Sequence, residues 1–337
     1  MGQAELHVHI EGTLEPKHIF QLAERNKVKL KYPTLETLKE AYQFENLQDF
    51  LDLYFSGMSV LLTAQDFHDL AWAYLLKCKE ENVRRTEIFF DPQAHTDRGV
   101  PLSAVMEGLG SACARAAAEL DVSAALILCF LRHLSADAAD AALTAAIPYV
   151  PPAAGAPPII GVGLDSSERG NPPERFAAVF ARARSLGLRR VAHAGEEGPP
   201  AYVRGALDAL GVDRIDHGVR SLEDPELVER LVAEGMALTV CPLSNIKLCV
   251  FKDMRDHNLG LLLSRGIKAT VNSDDPAYFG GYINQNFLET FEALDLDADA
   301  AYQLALNSFE ASFAPPEDKA RWIQELDEVF KAFSEPC

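Results

Sequence analysis

The chain has 337 residues, of which 48% are hydrophobic, and its formal net charge is −19. This length suits two ordinary domains or one large barrel, and the apolar content excludes an intrinsically disordered chain. A surface this acidic repels nucleic-acid phosphates and anionic lipid headgroups. We therefore expect neither nucleic acid nor a membrane surface as a partner.

The cysteines and the N-terminal residues predict a reducing, cytoplasmic setting. The six cysteines show neither CxxC spacing nor a dense disulfide pattern: Cys78, Cys113, Cys129, Cys241, Cys249 and Cys337. The opening MGQAELHVHI lacks a basic segment followed by a long apolar one, so we expect no signal peptide. No stretch approaches the roughly 18 apolar residues of a membrane helix.

Short apolar runs alternate with longer helical patterns from end to end. The runs expected to be strands are Ala4–Ile10, Thr86–Pro92, Ala124–Leu131, Ile159–Asp165, Arg189–Gly195, Arg214–Gly218, Ala237–Pro242 and Lys268–Asp275. Near-continuous apolar runs are typical of parallel strands that are buried on both faces. The helical patterns between them include Pro173–Leu186, Pro199–Leu210 and Asp224–Glu234. Eight strand–helix repeats predict an α/β fold, a single (β/α)8 (TIM) barrel over residues 1–337, rather than an open doubly wound sheet.

Three segments exceed what a minimal barrel needs. The first connection, from Glu11 to Arg85, carries an apolar helical stripe at Leu47, Phe50, Leu51, Tyr54 and Phe55. That helix either packs on the barrel wall or forms a lid over the mouth, and both interpretations stay open. The segment Ile147–Pro158 contains PPAAGAPP and is expected to be a stiff loop away from the chemistry. Residues Asn284–Cys337 are expected to be helical and to complete the outer layer.

Candidate functional residues gather at the C-terminal strand ends, where barrel enzymes place their chemistry. They are His7, His9, His193, His217, Asp274 and Asp275. Residues two apart on a strand point the same way, so His7 and His9 both face the mouth. Three imidazoles and one carboxylate from such a set form a zinc site with room for a water. The fourth strand ends in GLDSSE without a bridging lysine, which favours one metal over two.

Structural interpretations compete with these functional ones. A single strand histidine is more often a half-buried polar residue than a ligand, and two adjacent aspartates usually form a turn or a helix cap. The conjunction of HxH, HAGEE, DHG and NSDDP at one end of the predicted barrel favours function. The remaining histidines lack that pattern, and we expect them to be structural or on the surface: His18, His68, His95, His133 and His257.

Glu196 is the expected acid–base residue, because it lies three residues after His193 where the strand turns into its loop. Partial desolvation there raises a carboxyl pKa towards neutrality. The neighbouring Glu197 competes for that role. His217 is placed to orient or deprotonate a metal-bound water, and Asp274 is placed to bind metal while Asp275 faces the substrate.

Several other catalytic signatures are missing from the sequence. The HxE and PCxxC pattern of cytidine deaminases is absent, as are a GxSxG elbow and a phosphate-binding P-loop. Cys241 lies in a predicted buried strand with no base nearby in sequence, which disfavours a cysteine nucleophile.

The motifs AELHVHIEGTLEP, VAHAGEEGP, RIDHGVR, TVCPLSNIKL and VNSDDPAYFGG together resemble the adenosine deaminase family of metal-dependent barrel hydrolases, over nearly the whole chain. The resemblance implies one zinc ion per chain, held by His7, His9, His193 and Asp274. It also implies that Glu196 protonates the purine ring, that His217 aids water activation and that Asp275 contacts N7.

One departure from the family's motifs concerns the choice of substrate. Where the family typically has aspartate close to the ribose, HVHIEGT has Glu11, whose longer side chain is expected to exclude a sugar. Glu11, FLRHLS, GLDSSE and HAGEEGP resemble the adenine deaminase branch of the family. Ser166 and Ser167 stand where a glycine usually contacts the purine edge, and Ser166 is taken as a substrate-binding residue.

The resemblance therefore implies zinc-dependent hydrolytic deamination of adenine, at a cyclic amidine C–N bond, to hypoxanthine and ammonia in purine salvage. Adenosine or an N6-substituted adenine is the alternative substrate. A non-catalytic zinc-binding barrel and a phosphoesterase with several metals are the alternatives of other classes. Iron in place of zinc and assembly as a homo-oligomer stay open.

Overall fold

A closed parallel barrel forms the centre of the protein. The computed structural model describes residues 2–45, 47–150 and 159–334, and within them eight strands lie side by side in chain order. They are β1 (Gln3–His9), β2 (Val83–Phe90), β3 (Ser123–Leu131), β4 (Ile159–Asp165), β5 (Arg189–Ala194), β6 (Arg214–His217), β7 (Ala237–Val240) and β8 (Lys268–Val271). A parallel bridge between Val8 and Asp274 joins the first strand to the segment after the last one. The predicted (β/α)8 class is confirmed.

Helices lie between successive strands and fill the long segments. The α-helices are α1 (Pro16–Asn26), α2 (Leu35–Glu40), α3 (Leu47–Gly57), α4 (Ala64–Glu80), α5 (Pro92–Thr96), α6 (Leu102–Glu119), α7 (Ala136–Ala146), α8 (Ala177–Ser185), α9 (Pro200–Gly205), α10 (Pro225–Glu234), α11 (Pro242–Lys247), α12 (Leu259–Ser264), α13 (Pro276–Phe279), α14 (Ile283–Leu294), α15 (Ala298–Ala311) and α16 (Pro316–Ser334). Short 3-10 turns occupy Glu11–Thr13, Met58–Val60, Ile147–Tyr149, Pro173–Phe176, Val219–Glu223 and Met254–Asp256. The predicted helix at Pro199–Leu210 is α9 followed by a π-helical turn, Ala206–Leu210.

The sixth and eighth strands are shorter than predicted, ending at His217 and Val271 rather than at Gly218 and Asp275. His217 and Asp274 each have a φ of 63°, which is left-handed and incompatible with a continuing strand. This conformation costs a residue other than glycine roughly 1–2 kcal/mol. Such strain is typical of functional sites, where it aims a side chain that a regular strand would direct elsewhere.

The first connection holds α1 to α4, and its apolar stripe lies on α3. Leu47, Phe50, Leu51, Tyr54 and Phe55 all line the cavity at the barrel mouth. The helix is therefore both packed against the barrel and placed over the site, which unites the two interpretations of the stripe.

The C-terminal segment is helical as expected, in α14 to α16. α15 covers the junction of β1 and β8: Ala4 N–H donates to Ser308 Oγ at 2.9 Å, and Asn307 Nδ2 donates to the Ala269 carbonyl at 2.8 Å. Most of the predicted loop at 147–158 lies outside the described residues, as does Cys337.

Two expectations from the sequence, which concern membrane helices and cysteines, can be compared with the described residues. No helix among these residues combines the length and the apolar character needed to cross a membrane. The five described cysteines are free thiols, and all but Cys249 are buried.

Candidate active site

A cavity of about 420 Å³ lies at the C-terminal ends of the strands, under α3. Most of the polar side chains predicted from the sequence line it, together with two further aspartates. The polar lining residues are His9, Asp91, Asp165, Ser166, His193, Glu196, His217, Asp274 and Asp275. The side chains predicted from the strand ends therefore lie together at one cavity.

Four imidazoles converge on the carboxylate of Asp274. Its Oδ1 lies 3.4 Å from His7 Nε2 and 3.6 Å from His9 Nε2, while Oδ2 lies 3.8 Å from His217 Nε2. The Nε2 atoms of His9 and His193 are 3.3 Å apart. One set of potential ligand atoms within 4.8 Å of one another comprises His7, His193, His217 and Asp274. Proximity alone therefore does not decide whether His9 or His217 is the third imidazole ligand.

The groups next to Nδ1 divide the four imidazoles into three potential metal ligands and one hydrogen-bond donor. Three rings direct Nδ1 outwards to an oxygen: Thr239 Oγ1 at 2.9 Å from His7, Asp165 Oδ2 at 3.6 Å from His9, and Asp216 Oδ2 at 3.6 Å from His193. Thr239 donates its own hydrogen to Asp216, so its oxygen accepts from His7. The hydrogen bond to Thr239 places the hydrogen of His7 on Nδ1, and the carboxylates 3.6 Å behind His9 and His193 favour the same tautomer electrostatically. Each Nε2 lone pair then faces the cluster, as metal-binding histidines require. His7 Nε2 is buried without a hydrogen-bond partner, which fits a metal ligand.

His217 has the opposite arrangement. The backbone N–H of Leu259 donates to His257 Nδ1 at 3.1 Å, so the neutral His257 carries its hydrogen on Nε2. That nitrogen lies 3.1 Å from Asn245 Oδ1, which turns the Asn245 amide nitrogen towards His217 Nδ1, 3.5 Å away. Burial, followed by the charge of His7, lowers the pKa of His217 to about 3, so the ring is neutral. Its hydrogen therefore lies on Nε2, where it is a donor rather than a ligand.

We expect Asn245→Asp to lower kcat by up to about 10⁴-fold, the loss that a wrong histidine tautomer causes in a catalytic triad. A carboxylate behind Nδ1 would draw the hydrogen to that side and remove it from Nε2. Steady-state kinetics and metal analysis check this: the metal content should stay at the wild-type level and KM should change little. Unchanged kcat would contradict the tautomer assignment.

Glu168 fixes the loop that carries Glu196, and the sequence reasoning missed it. Its carboxylate accepts four backbone N–H groups at 2.7–3.1 Å, from the consecutive residues Gly195, Glu196, Glu197 and Gly198. Successive N–H groups aimed at one carboxylate form an anion-binding nest. The segment SSE after β4 gave no hint of this role, because the contact depends on how two loops pack together.

Glu196 is a neutral acid in this setting. Burial raises the pKa of its carboxyl group well above the usual range, and the charges of Asp274 and Glu168 raise it further. Its Oε2 lies 3.6 Å from His217 Nε2, and its Oε1 has no partner. The side chain can therefore present a proton to a molecule in the cavity. The competitor Glu197 is less buried than Glu196, and its Oε1 lies 3.5 Å from Arg169 Nη2.

Asp275 lies beside Asp274 and faces the same cavity. Burial first, and then the charge of Asp274, raises the pKa of its carboxyl well above the usual range. Its Oδ1 is buried without a partner. Gly12 approaches this carboxyl so closely that any side chain at that position would collide with it. The glycine of HVHIEGT thus keeps Asp275 in place.

The expectation that Glu11 projects into the sugar space needs correction. Its carboxylate does not line the cavity: Oε1 lies 2.8 Å from His95 Nε2 and accepts the Asp91 N–H at 3.1 Å, and Oε2 accepts a long hydrogen bond from Tyr54. A buried carboxylate needs such donors, and they hold the Glu11 carboxylate out of the cavity. His95 does not line the cavity, and its contact with Glu11 is the structural kind of role expected for it.

Ser166 lines the cavity in a left-handed conformation, with a φ of 71°. Its Oγ lies 2.7 Å from His133 Nδ1, and the His133 ring packs edge-on against Phe55 of α3. His133 thus links the β4 end to the helix over the mouth.

Besides Glu168, the sequence reasoning missed Asp91, Asp165, Asp216 and Asn245. Asp91 directly follows β2 and Asp165 ends β4, so the same positional rule would have found both. Asp216 immediately precedes His217 in β6. Asn245 had no signal of its own, because its importance depends on a contact with His257.

A buried cluster of imidazoles and carboxylates at this end of a (β/α)8 barrel is the arrangement that a hydrolase metal centre requires. The sequence model of adenosine deaminase matches residues 2–329. The chain belongs to the adenosine deaminase family.

Proteins similar to this chain include two adenine deaminases and an amidohydrolase. An adenine deaminase from Trichlorobacter lovleyi is 60% identical over 332 residues, covering 98% of this chain and 93% of that protein. The crystal structure of an adenine deaminase from Arthrobacter aurescens is 48% identical, with a TM-score of 0.94 over 98% of this chain and 99% of that one. An amidohydrolase from Burkholderia ambifaria with bound zinc is 25% identical, with a TM-score of 0.89 over 98% of this chain and 91% of that one.

Proposed function

We propose that the protein is a zinc-dependent hydrolase that deaminates adenine to hypoxanthine and ammonia. The observation that carries this proposal is the position of the buried Glu196 carboxyl group, whose pKa is raised by burial, beside an imidazole–carboxylate cluster in one cavity. The adenine deaminases among its similar proteins support the choice of substrate.

His7, His9, His193 and Asp274 are the proposed ligands, because three rings direct an Nε2 lone pair to the same side as the Asp274 carboxylate. Nitrogen and carboxylate oxygen donors suit zinc, and one ion per chain accounts for the whole set. When bound, zinc supplies the nucleophile by lowering the pKa of a coordinated water from about 16 towards 7.

The chain's own groups perform the remaining steps. Asp274 accepts a proton from the attacking water, and His217 Nε2–H donates a hydrogen bond that orients it. Glu196 gives its proton to N1 as the C6–O bond forms, which relieves the negative charge that addition places on the ring. Asp275 donates to N7. The proton held by Asp274 then passes to N6, the C6–N6 bond breaks and ammonia leaves. The hydroxyl group on C6 returns its proton to Glu196 as the carbonyl of hypoxanthine forms.

Adenosine, or an adenine substituted on N6, is the alternative substrate of the same chemistry. Ammonia release and the ultraviolet change with adenine and adenosine in parallel, on protein of known zinc content, test the proposal. We expect adenine to react far faster. Release from adenosine alone would retain the chemistry and overturn the substrate, and no release from either purine by zinc-loaded protein would overturn the proposed function.

A further inference from the structure

Two carboxyl groups in the cavity wall take no part in the steps above. Asp91 and Asp165 both line the cavity, and each has a buried Oδ1 without a hydrogen-bond partner. Leaving a buried acceptor unpaired costs about 1–3 kcal/mol, so such atoms in a cavity indicate a missing partner. Asp165 already has a role behind His9 Nδ1. Asp91 has none.

A structural role for the Asp91 side chain is not evident. Asp91 is the residue at the N-terminus of α5, where aspartate commonly caps the helix, yet its side chain makes no capping hydrogen bond. Its backbone N–H is held instead by Glu11 Oε1. The carboxyl group is thereby fixed in the cavity wall while remaining available to a ligand.

A second metal at this place is disfavoured. His9, Asp91 and Asp165 do offer ligand atoms within 4.8 Å of one another. However, His9 is already used: its Nε2 faces Asp274, and its Nδ1 faces Asp165. Two carboxylates remain, which are too few for a closed site built from the chain's own groups.

The position of Asp91 suits the far end of a purine. Its neighbours are Asp165, Glu11 and His9, whereas Glu196 neighbours His217 and Asp274. A base with N1 at Glu196, C6 at the metal cluster and N7 at Asp275 leaves its N3–N9 edge for the remaining polar lining groups, which are Asp91, Asp165 and Ser166. Free adenine carries a hydrogen on N9, whereas a nucleoside carries a sugar there.

We propose that Asp91 Oδ1 accepts the N9–H of the free base and thereby selects a base over a nucleoside. This inference rests on the proposed function and adds the contact that sets its specificity. Glu11 is then a positioning residue, acting through the Asp91 backbone rather than by filling the sugar space. A nucleoside would leave Asp91 Oδ1 without a hydrogen-bond donor, and its sugar would collide with the cavity wall. Sites built to hydrogen-bond a substrate group discriminate strongly against analogues that lack that group.

Kinetics on adenine and 9-methyladenine test this, because methylation removes the N9 donor and leaves C6 unchanged. Asp91→Ser is expected to lower kcat/KM for adenine by about 10- to 100-fold, the loss expected when a buried donor is left without its hydrogen-bond partner. The value for 9-methyladenine should fall by less than about threefold, or rise. Asp91→Asn keeps an oxygen acceptor, so its ratio of the two values should lie between those of the wild type and Asp91→Ser.

Asp97→Ser is the matched control, since Asp97 is exposed at the end of the same helix and should leave both values unchanged. Thermal stability and metal content are measured for every variant. An equal fall with both substrates in Asp91→Ser would overturn the inference, because it indicates a structural role. Wild-type protein without adenine turnover would overturn the proposed function, and this inference with it.

Discussion

Replacing Glu196 with glutamine is expected to lower the turnover of adenine by about 10²–10⁴-fold, the usual contribution of a positioned general acid. Glutamine matches the size of glutamic acid and can still donate a hydrogen bond to N1, but it cannot transfer a proton. Addition at C6 would then leave negative charge on the ring in a buried cavity, where such charge is expensive. Because Glu196 is not among the proposed ligands, zinc should remain bound.

Glu197→Gln provides the matched control, since Glu197 is the adjacent carboxyl group and pairs with Arg169 at the cavity edge. Its turnover should stay within about threefold of the wild type. Steady-state assays with parallel metal analysis check both variants. Near-normal turnover in Glu196→Gln, or a larger loss in Glu197→Gln, would show that the acid has been assigned to the wrong residue.

Removing the metal with a chelator is expected to abolish turnover and to lower the free energy of unfolding. Without the ion, the lone pairs of three imidazoles and the Asp274 carboxylate face one another with no cation between them. No activated water then remains to attack C6. An ion present at 1,000 times its Kd stabilises the folded state by about 4 kcal/mol. Thermal unfolding before and after chelation measures the second effect.

Titration of the metal-free protein with zinc then counts the sites. Activity and thermal stability should both recover fully at one equivalent per chain. Recovery only near three equivalents would favour a barrel phosphoesterase with several metals. Full activity after complete removal of metal would contradict the proposed role of the cluster.

The barrel and most of the site could be predicted because both depend on local patterns. A buried parallel strand has a continuous apolar run, and its C-terminal end carries the chemistry, so His7, His193 and Asp274 could be placed without coordinates. The resemblance of the motifs added expected roles for Glu196 and Asp275. The early ends of β6 and β8 could not be predicted from the sequence. The left-handed conformations of His217 and Asp274 leave no mark in it, because neither residue is glycine.

The contacts behind the site could not be predicted, because each joins segments that are distant in the chain. Glu168 holds the Glu196 loop through four N–H groups, and Asn245 depends on His257 for the direction of its amide. Glu11 shows the same limit: its identity was informative, but its direction was decided by the donors His95 and Asp91, which lie more than 75 residues away.

The most direct test of the account is the rate of ammonia release from adenine and from adenosine, measured side by side on protein with one zinc per chain. The account predicts that adenine is converted to hypoxanthine with a kcat/KM far above that for adenosine. A kcat/KM for adenosine equal to or above that for adenine would contradict it.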